Sequence, residues 1–115
     1  MAKAWFHAEN SVRRFGGRVE DYLPIHEKMD STKAAHAEAN HRIVFHSAFG
    51  IYLVEELFGR VITNADGRTV CVRDIAEQHV IDDLGFIPSL SDWLEHVQVE
   101  AWMMGLGTKK IEIVD

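Results

Sequence analysis

Seven histidines in 115 residues raise the first chemical question, and three of them, His36, His41 and His46, fall within the stretch AAHAEANHRIVFH. Imidazole is the commonest metal ligand and the side chain that titrates nearest neutrality. On a helix turning about 100° per residue, spacings of five give steps of about 140°, so these three would face three different sides. Each needs partners on other elements. His41 lies at the edge of an apolar stripe formed by Ala37, Val44, Ala48, Ile51 and Phe58. Glu38 precedes it by three, giving Glu-x-x-His, the pair that helices of carboxylate-bridged di-metal bundles contribute. One copy is present, so a second chain or other ligands would have to complete that site. An edge histidine bonded to a neighbouring helix is the plainer reading.

EQHVIDD, residues 77–83, holds a stronger pair. His79 and Asp83 are four apart and meet on one helix face, flanking Ala76, Val80 and Leu84, while Asp82 is expected on the other side. Such a pair coordinates a metal or forms a base whose tautomer the carboxylate fixes; a surface ion pair is the equal alternative. HEKMD, His26 to Asp30, superficially resembles a zinc-protease helix with aspartate as second ligand. It lacks the second histidine, and capping by Asp30 ahead of the central helix is the simpler role. Glu55 falls on the apolar stripe and needs a partner. His7 and His96 read as packing or surface residues.

The metal set expected from these spacings is therefore His41, His79, Asp83 and Glu38, with His26 and His46 as further candidates, holding a divalent transition ion such as zinc, iron or manganese. An open coordination position would make His79 and Asp83 the catalytic pair of a small hydrolase acting on a phosphodiester or nucleotide. Arg13, Arg14, Arg18 and Arg68 are candidate phosphate contacts. Other chemistries lack their residues: there is no Gly-rich phosphate loop with its lysine, no paired cysteines and no Gly-x-Ser-x-Gly elbow. HAE at residues 36–38 has the form of a deaminase zinc motif without the cysteine pair that would complete it. Cys71, the sole cysteine, forms no intrachain disulfide and reads as a structural thiol.

These side chains must be positioned by a mainly α architecture. Apolar spacing predicts a helix over residues 4–15 ending at Gly16-Gly17, and a second near 19–29 that Pro24 shortens or displaces. One long central helix is expected from Thr32 to Phe58, stopped by Gly59. Val61–Thr63 and Thr69–Val72 around an Asp-Gly turn predict a small β-hairpin. A helix from about 74 to 84 and another from Ser89, with Asp92 completing a capping box and running to about Val97, follow. The expectation is a compact helical bundle on one long central helix with a hairpin insert, residues 1–105 forming a single domain and 106–115 a loose tail.

Nearly half the residues are apolar, and the formal charge is −6. That balance disfavours broad nucleic-acid or anionic-membrane contact. No apolar run is long enough to span a bilayer, and a cytoplasmic protein is expected. WFHAENSVRRFGG, YLPIHEKMD, the stretch from GRVITNADG to SDWLEHV, and AWMMG together resemble an uncharacterised family of short bacterial and phage proteins, over residues 5 to about 105. The resemblance implies a small helical protein from a bacterial or phage-infected cell and brings no activity or site residue. A noncatalytic binding module is the alternative function: one that inhibits a host protein or sequesters a nucleotide signal, and forms a homo-oligomer. It draws on the acidic balance and three tryptophans.

Overall fold

The computed structural model describes residues 3–34 and 42–105. Helix α1 spans Lys3–Phe15 and α2 spans Val19–Met29, followed by a 3-10 turn at Ser31–Ala34. Two further helices, α3 (Arg42–Phe45) and α4 (Ala48–Phe58), precede the strands β1 (Val61–Thr63) and β2 (Thr69–Cys71). Then come α5 (Val72–Leu84), α6 (Leu90–Leu94) and a 3-10 turn at Ala101–Met104. The predicted tail at 106–115, with the stretch 35–41 that holds His36, Glu38 and His41, lies outside the described residues.

Helices α1, α2, α4 and α5 pack together over a core of Ala8, Tyr22, Ile25, Met29, Val54, Val72, Ile75, Ala76 and Val80. Tyr22, Ile25 and Met29 recur at three and four residues, the stripe a helix needs to bury one face. Pro24 does not stop α2 as expected. It sits on the exposed face with Glu20, where water can take the carbonyl that the missing N–H would have bonded.

The antiparallel hairpin pairs Val61 with Cys71 and Thr63 with Thr69, and its turn fastens the α1–α2 corner. Buried Asn64 donates through Nδ2 to the Phe15 carbonyl and to Tyr22 Oη, each at 3.1 Å. Tyr22 in turn donates to the Gly16 carbonyl. Asp21 accepts from the backbone N–H groups of Arg18 and Ala65. Gly17, at φ +76°, leaves no room for a side chain, since a Cβ there would lie 2.6 Å from Asp21 Oδ2.

The expected continuous helix over 32–58 is not observed. The chain leaves helical geometry at Ser47 (φ −153°, ψ 169°), whose hydroxyl accepts the Gly50 N–H and starts α4 afresh. Serine is a favoured N-cap because it satisfies one of the orphan amides of the first turn. Gly50 permits the break: a Cβ there would collide with the backbone of Phe45. The corner is also tied to the far end of the chain, with the Ala48 N–H donating to the Pro88 carbonyl and Trp93 Nε1 donating to the His46 carbonyl. Helix α6 begins on the expected Ser89–Asp92 capping box but ends at Leu94 rather than near Val97. Gly50→Ala should cost about 1–3 kcal/mol through overpacking and shift His46, a loss that urea denaturation would measure.

Candidate metal centre

Helix α5 carries two adjacent pairs of side chains four residues apart, Gln78 with Asp82 and His79 with Asp83. Helix α1 brings His7 and Ser11 with the same spacing, and α2 ends in His26 and Asp30. The broken helix adds His46. Thus four histidines and three aspartates meet where α1, α2 and α5 pack against the α3–α4 corner, with His7, His26, His46 and His79 almost wholly buried.

Four of these side chains converge on one point. His46 Nε2 lies 2.8 Å from Asp83 Oδ2 and 3.8 Å from Asp30 Oδ1, and His79 Nε2 lies 3.3 Å from each of the same oxygens. Ligand atoms about 2.0–2.1 Å from a tetrahedral ion are about 3.3–3.4 Å apart, a spacing that these separations bracket. Asp30, His46, His79 and Asp83 each offer one donor atom within 4.8 Å of the others, so the cluster can hold a metal ion. The imidazoles are fully enclosed, while the Asp30 and Asp83 side chains keep 11% and 10% of their exposure. A bound ion would therefore meet solvent on its carboxylate side. Two nitrogens and two carboxylate oxygens, with no thiolate, suit zinc, iron or manganese.

His7 supports the centre from the side. Its Nδ1 is 3.1 Å from Asp82 Oδ2 and its Nε2 is 3.1 Å from Asp83 Oδ1, so it grips the Asp83 oxygen that faces away from the ligand point. Its ring lies over His79 with centroids 3.9 Å apart. Gln78 Nε2 donates to the His7 carbonyl and to Asp82 Oδ2. Ser11 Oγ lies 2.6 Å from Gln78 Oε1 and 2.8 Å from His26 Nε2, and His26 Nδ1 lies 2.9 Å from His79 Nδ1.

The environment separates the histidines electrostatically. Burial, reinforced by His79 and His7, pushes His26 down to about 2. Burial also lowers His46, against its hydrogen bond to Asp83. Burial acts downward on His79 too, yet its hydrogen bonds to Asp30 and Asp83 outweigh it and raise the pKa. Burial acts upward on Asp83, but hydrogen bonds from His46, His7 and His79 hold its carboxyl far below the usual carboxylate range. Asp30 is lowered in the same manner, chiefly by His79.

Of the residues expected from sequence, His79 and Asp83 are brought together, with His46 as their third partner. His41 and Glu38 fall outside the described residues. His26 is in the cluster but points at His79 rather than at the ligand point. Asp30, expected as a cap ahead of the central helix, instead follows α2 as its C-cap and turns its carboxylate toward His46 and His79. His7 is buried, as a packing residue is, but its ring also reaches both neighbouring aspartates, and Asp82 does not face away. The same spacing of four that relates His26 to Asp30 in HEKMD also occurs at Gln78–Asp82 and His7–Ser11. Glu55 finds its partner in Arg73, 3.1 Å away.

The arginines lie at the other end of α1. Arg13 bonds Asn10, Arg14 lies over the Phe15 ring at 5.0 Å, and Arg68 donates to the Phe15 carbonyl. Arg18 precedes the first turn of α2. Cys71 is exposed at the end of β2, apart from the cluster. No helix among the described residues is long and apolar enough to cross a membrane.

No curated protein and no solved structure matches the chain. A family model described as a domain of unknown function, DUF6915, matches residues 2–103, and the chain belongs to that family.

Proposed function

We propose that the chain is a metalloprotein in which Asp30, His46, His79 and Asp83 hold one divalent transition ion, and that the ion activates water for hydrolysis. One observation carries this reading: two imidazole nitrogens and two carboxylate oxygens from three separate segments converge at ligand spacing in a largely buried cluster. Buried carboxylates and imidazoles at that density need a cation between them or protons in its place. The residual exposure of Asp30 and Asp83 leaves a face on which water can complete the coordination, and an ion there lowers the pKa of that water toward neutrality. A phosphodiester or nucleotide is the substrate class of this reading. Arg13 and Arg14 lie near the Phe15 end of α1, with Arg18 ahead of α2 and Arg68 bonded to the Phe15 carbonyl, and in this reading they hold a part of a long substrate away from the reacting group.

Metal binding and turnover are tested separately. Untagged protein stripped with a chelator and titrated with zinc or manganese should take up one ion per chain. Its melting temperature should rise, since ligand at about 1,000 times Kd adds about 4 kcal/mol. An unchanged melting temperature and no uptake would sink the metal assignment. Hydrolysis of a chromogenic phosphodiester by the loaded protein, absent from Asp83→Asn, tests the reaction.

A noncatalytic binding module is the second reading. It is favoured by the exposure of Leu94, Val97, Val99, Trp102 and Met104 along the last described stretch, a run of apolar surface of the kind interfaces use. A stable oligomer or complex without turnover would favour it.

A further inference from the structure

We infer that Gln78, Ser11 and His26 are positioning residues of the metal centre: a one-way chain of hydrogen bonds keeps the single proton of neutral His79 on Nδ1, so that Nε2 presents its lone pair to the ion. The inference rests on the metal reading above and deepens it.

The direction of the chain follows from donor and acceptor inventory. Gln78 Nε2 faces two groups that only accept, the His7 carbonyl at 3.0 Å and Asp82 Oδ2 at 2.8 Å. Turning the amide over would set its oxygen against both, so the orientation is settled and Oε1 faces Ser11. At 2.6 Å that contact requires the Ser11 proton. The His7 carbonyl, 3.2 Å from Ser11 Oγ, also only accepts; a hydroxyl has one proton to give, so with that proton committed to an oxygen Ser11 Oγ receives at its third contact, where His26 Nε2–H donates to it across 2.8 Å. His26 is fully buried beside the His7 and His79 rings, where a neutral ring with one proton is the favoured form. That proton is now on Nε2, so Nδ1 is an acceptor. The 2.9 Å contact between His26 Nδ1 and His79 Nδ1 then takes its hydrogen from His79.

Neutral His79 is left with an unprotonated Nε2 facing Asp30 Oδ1 and Asp83 Oδ2, both at 3.3 Å. A lone pair opposed to two carboxylate oxygens is repulsive unless a cation, or a second proton on the ring, lies among them. The same chain that orients the ring thus prepares it as a ligand. Outer hydrogen bonds that fix the tautomer of metal-bound histidine commonly change affinity by about 10–100-fold when removed.

Ring-nitrogen NMR of histidine-labelled protein loaded with a spin-active cadmium isotope tests the chain. Expected are a cadmium coupling at His79 Nε2, a slowly exchanging proton on His79 Nδ1, and a coupling across the N–H···N bond to His26 Nδ1. Ser11→Ala, which breaks the chain with little change of volume, should weaken cadmium binding by about 10–100-fold and move the His79 proton toward Nε2 in the metal-free protein. Cadmium on His79 Nδ1, or wild-type affinity and an unmoved tautomer in folded Ser11→Ala, would overturn the inference. If that variant does not fold, the wild-type couplings decide. If wild-type protein binds no cadmium, the metal reading fails by itself. The metal-free wild type, titrated until His79 is neutral, then judges the chain: a proton on Nδ1 upholds it, and one on Nε2 overturns it.

Discussion

Asp83→Asn should abolish high-affinity metal binding while keeping the shape of the side chain. Three imidazoles converge on this carboxylate: His7 on Oδ1, His46 and His79 on Oδ2. An amide cannot supply the negative charge that an ion or a protonated ring at this point requires. Structural zinc sites bind with about 10–16 kcal/mol, so one of four ligands accounts for about 3–4 kcal/mol, or two to three orders of magnitude in affinity. Calorimetric titration with zinc would measure the loss. The metal-free variant should also be less stable by about 1–3 kcal/mol, the cost of leaving buried polar groups unsatisfied. Zinc affinity within tenfold of wild type would remove Asp83 from the ligand set.

Acid should unfold the metal-free protein in a range where most helical domains are still secure. His26 has its pKa depressed from 6.5 to about 2 by burial and by the neighbouring His79 and His7, with Asp30 and Asp83 opposing. Its contribution to stability is therefore complete above pH 6.5 and is lost as pH falls toward 2, because the unfolded chain takes up a proton that the folded ring refuses. The slope from one such group is about 1.4 kcal/mol per pH unit, so two units of acidification remove about 3 kcal/mol. His46, also lowered, acts in the same direction. His79 acts oppositely: its raised pKa gives stability that is full below pH 6.5 and declines as pH rises through its folded value. The lowered pKa values of Asp30, Asp82 and Asp83 protect the fold until pH falls through the ordinary carboxylate range. Urea unfolding across this range should show net proton uptake on unfolding below pH 6.5. Stability independent of pH between about 6.5 and 4.5 would contradict a neutral, buried His26.

The local signals in the chain were legible because they depend on near neighbours. The glycine pair ending α1, the Asp-Gly hairpin and the Ser89–Asp92 capping box each concern a few adjacent residues, and each is found. The pair His79 and Asp83 was readable for the same reason, a spacing of four on one helix. The central helix misled because its apolar periodicity passes through Ser47 uninterrupted. What breaks it there is a tertiary circumstance, the bonds from Ala48 to Pro88 and from Trp93 to the His46 carbonyl. Histidines spaced by five face different sides only on one continuous cylinder, so the break at Ser47 lets His46 join the cluster. His7 is hidden in the sequence because its partner Asp82 lies 75 residues away, and Asp30 is legible only through His26 four residues before it, since its contact with His79 spans 49 residues.

The four donor atoms sit on Asp30, His46 and the pair on α5, so a captured ion would staple the polypeptide at three places. Releasing it would open two closed circuits of chain simultaneously, one of about 16 residues and one of about 33, and longer circuits carry more entropy when freed. Loading would accordingly slow unfolding as well as raise the melting point, and the stretch running from Asp30 to His46 would begin and end at the same atom.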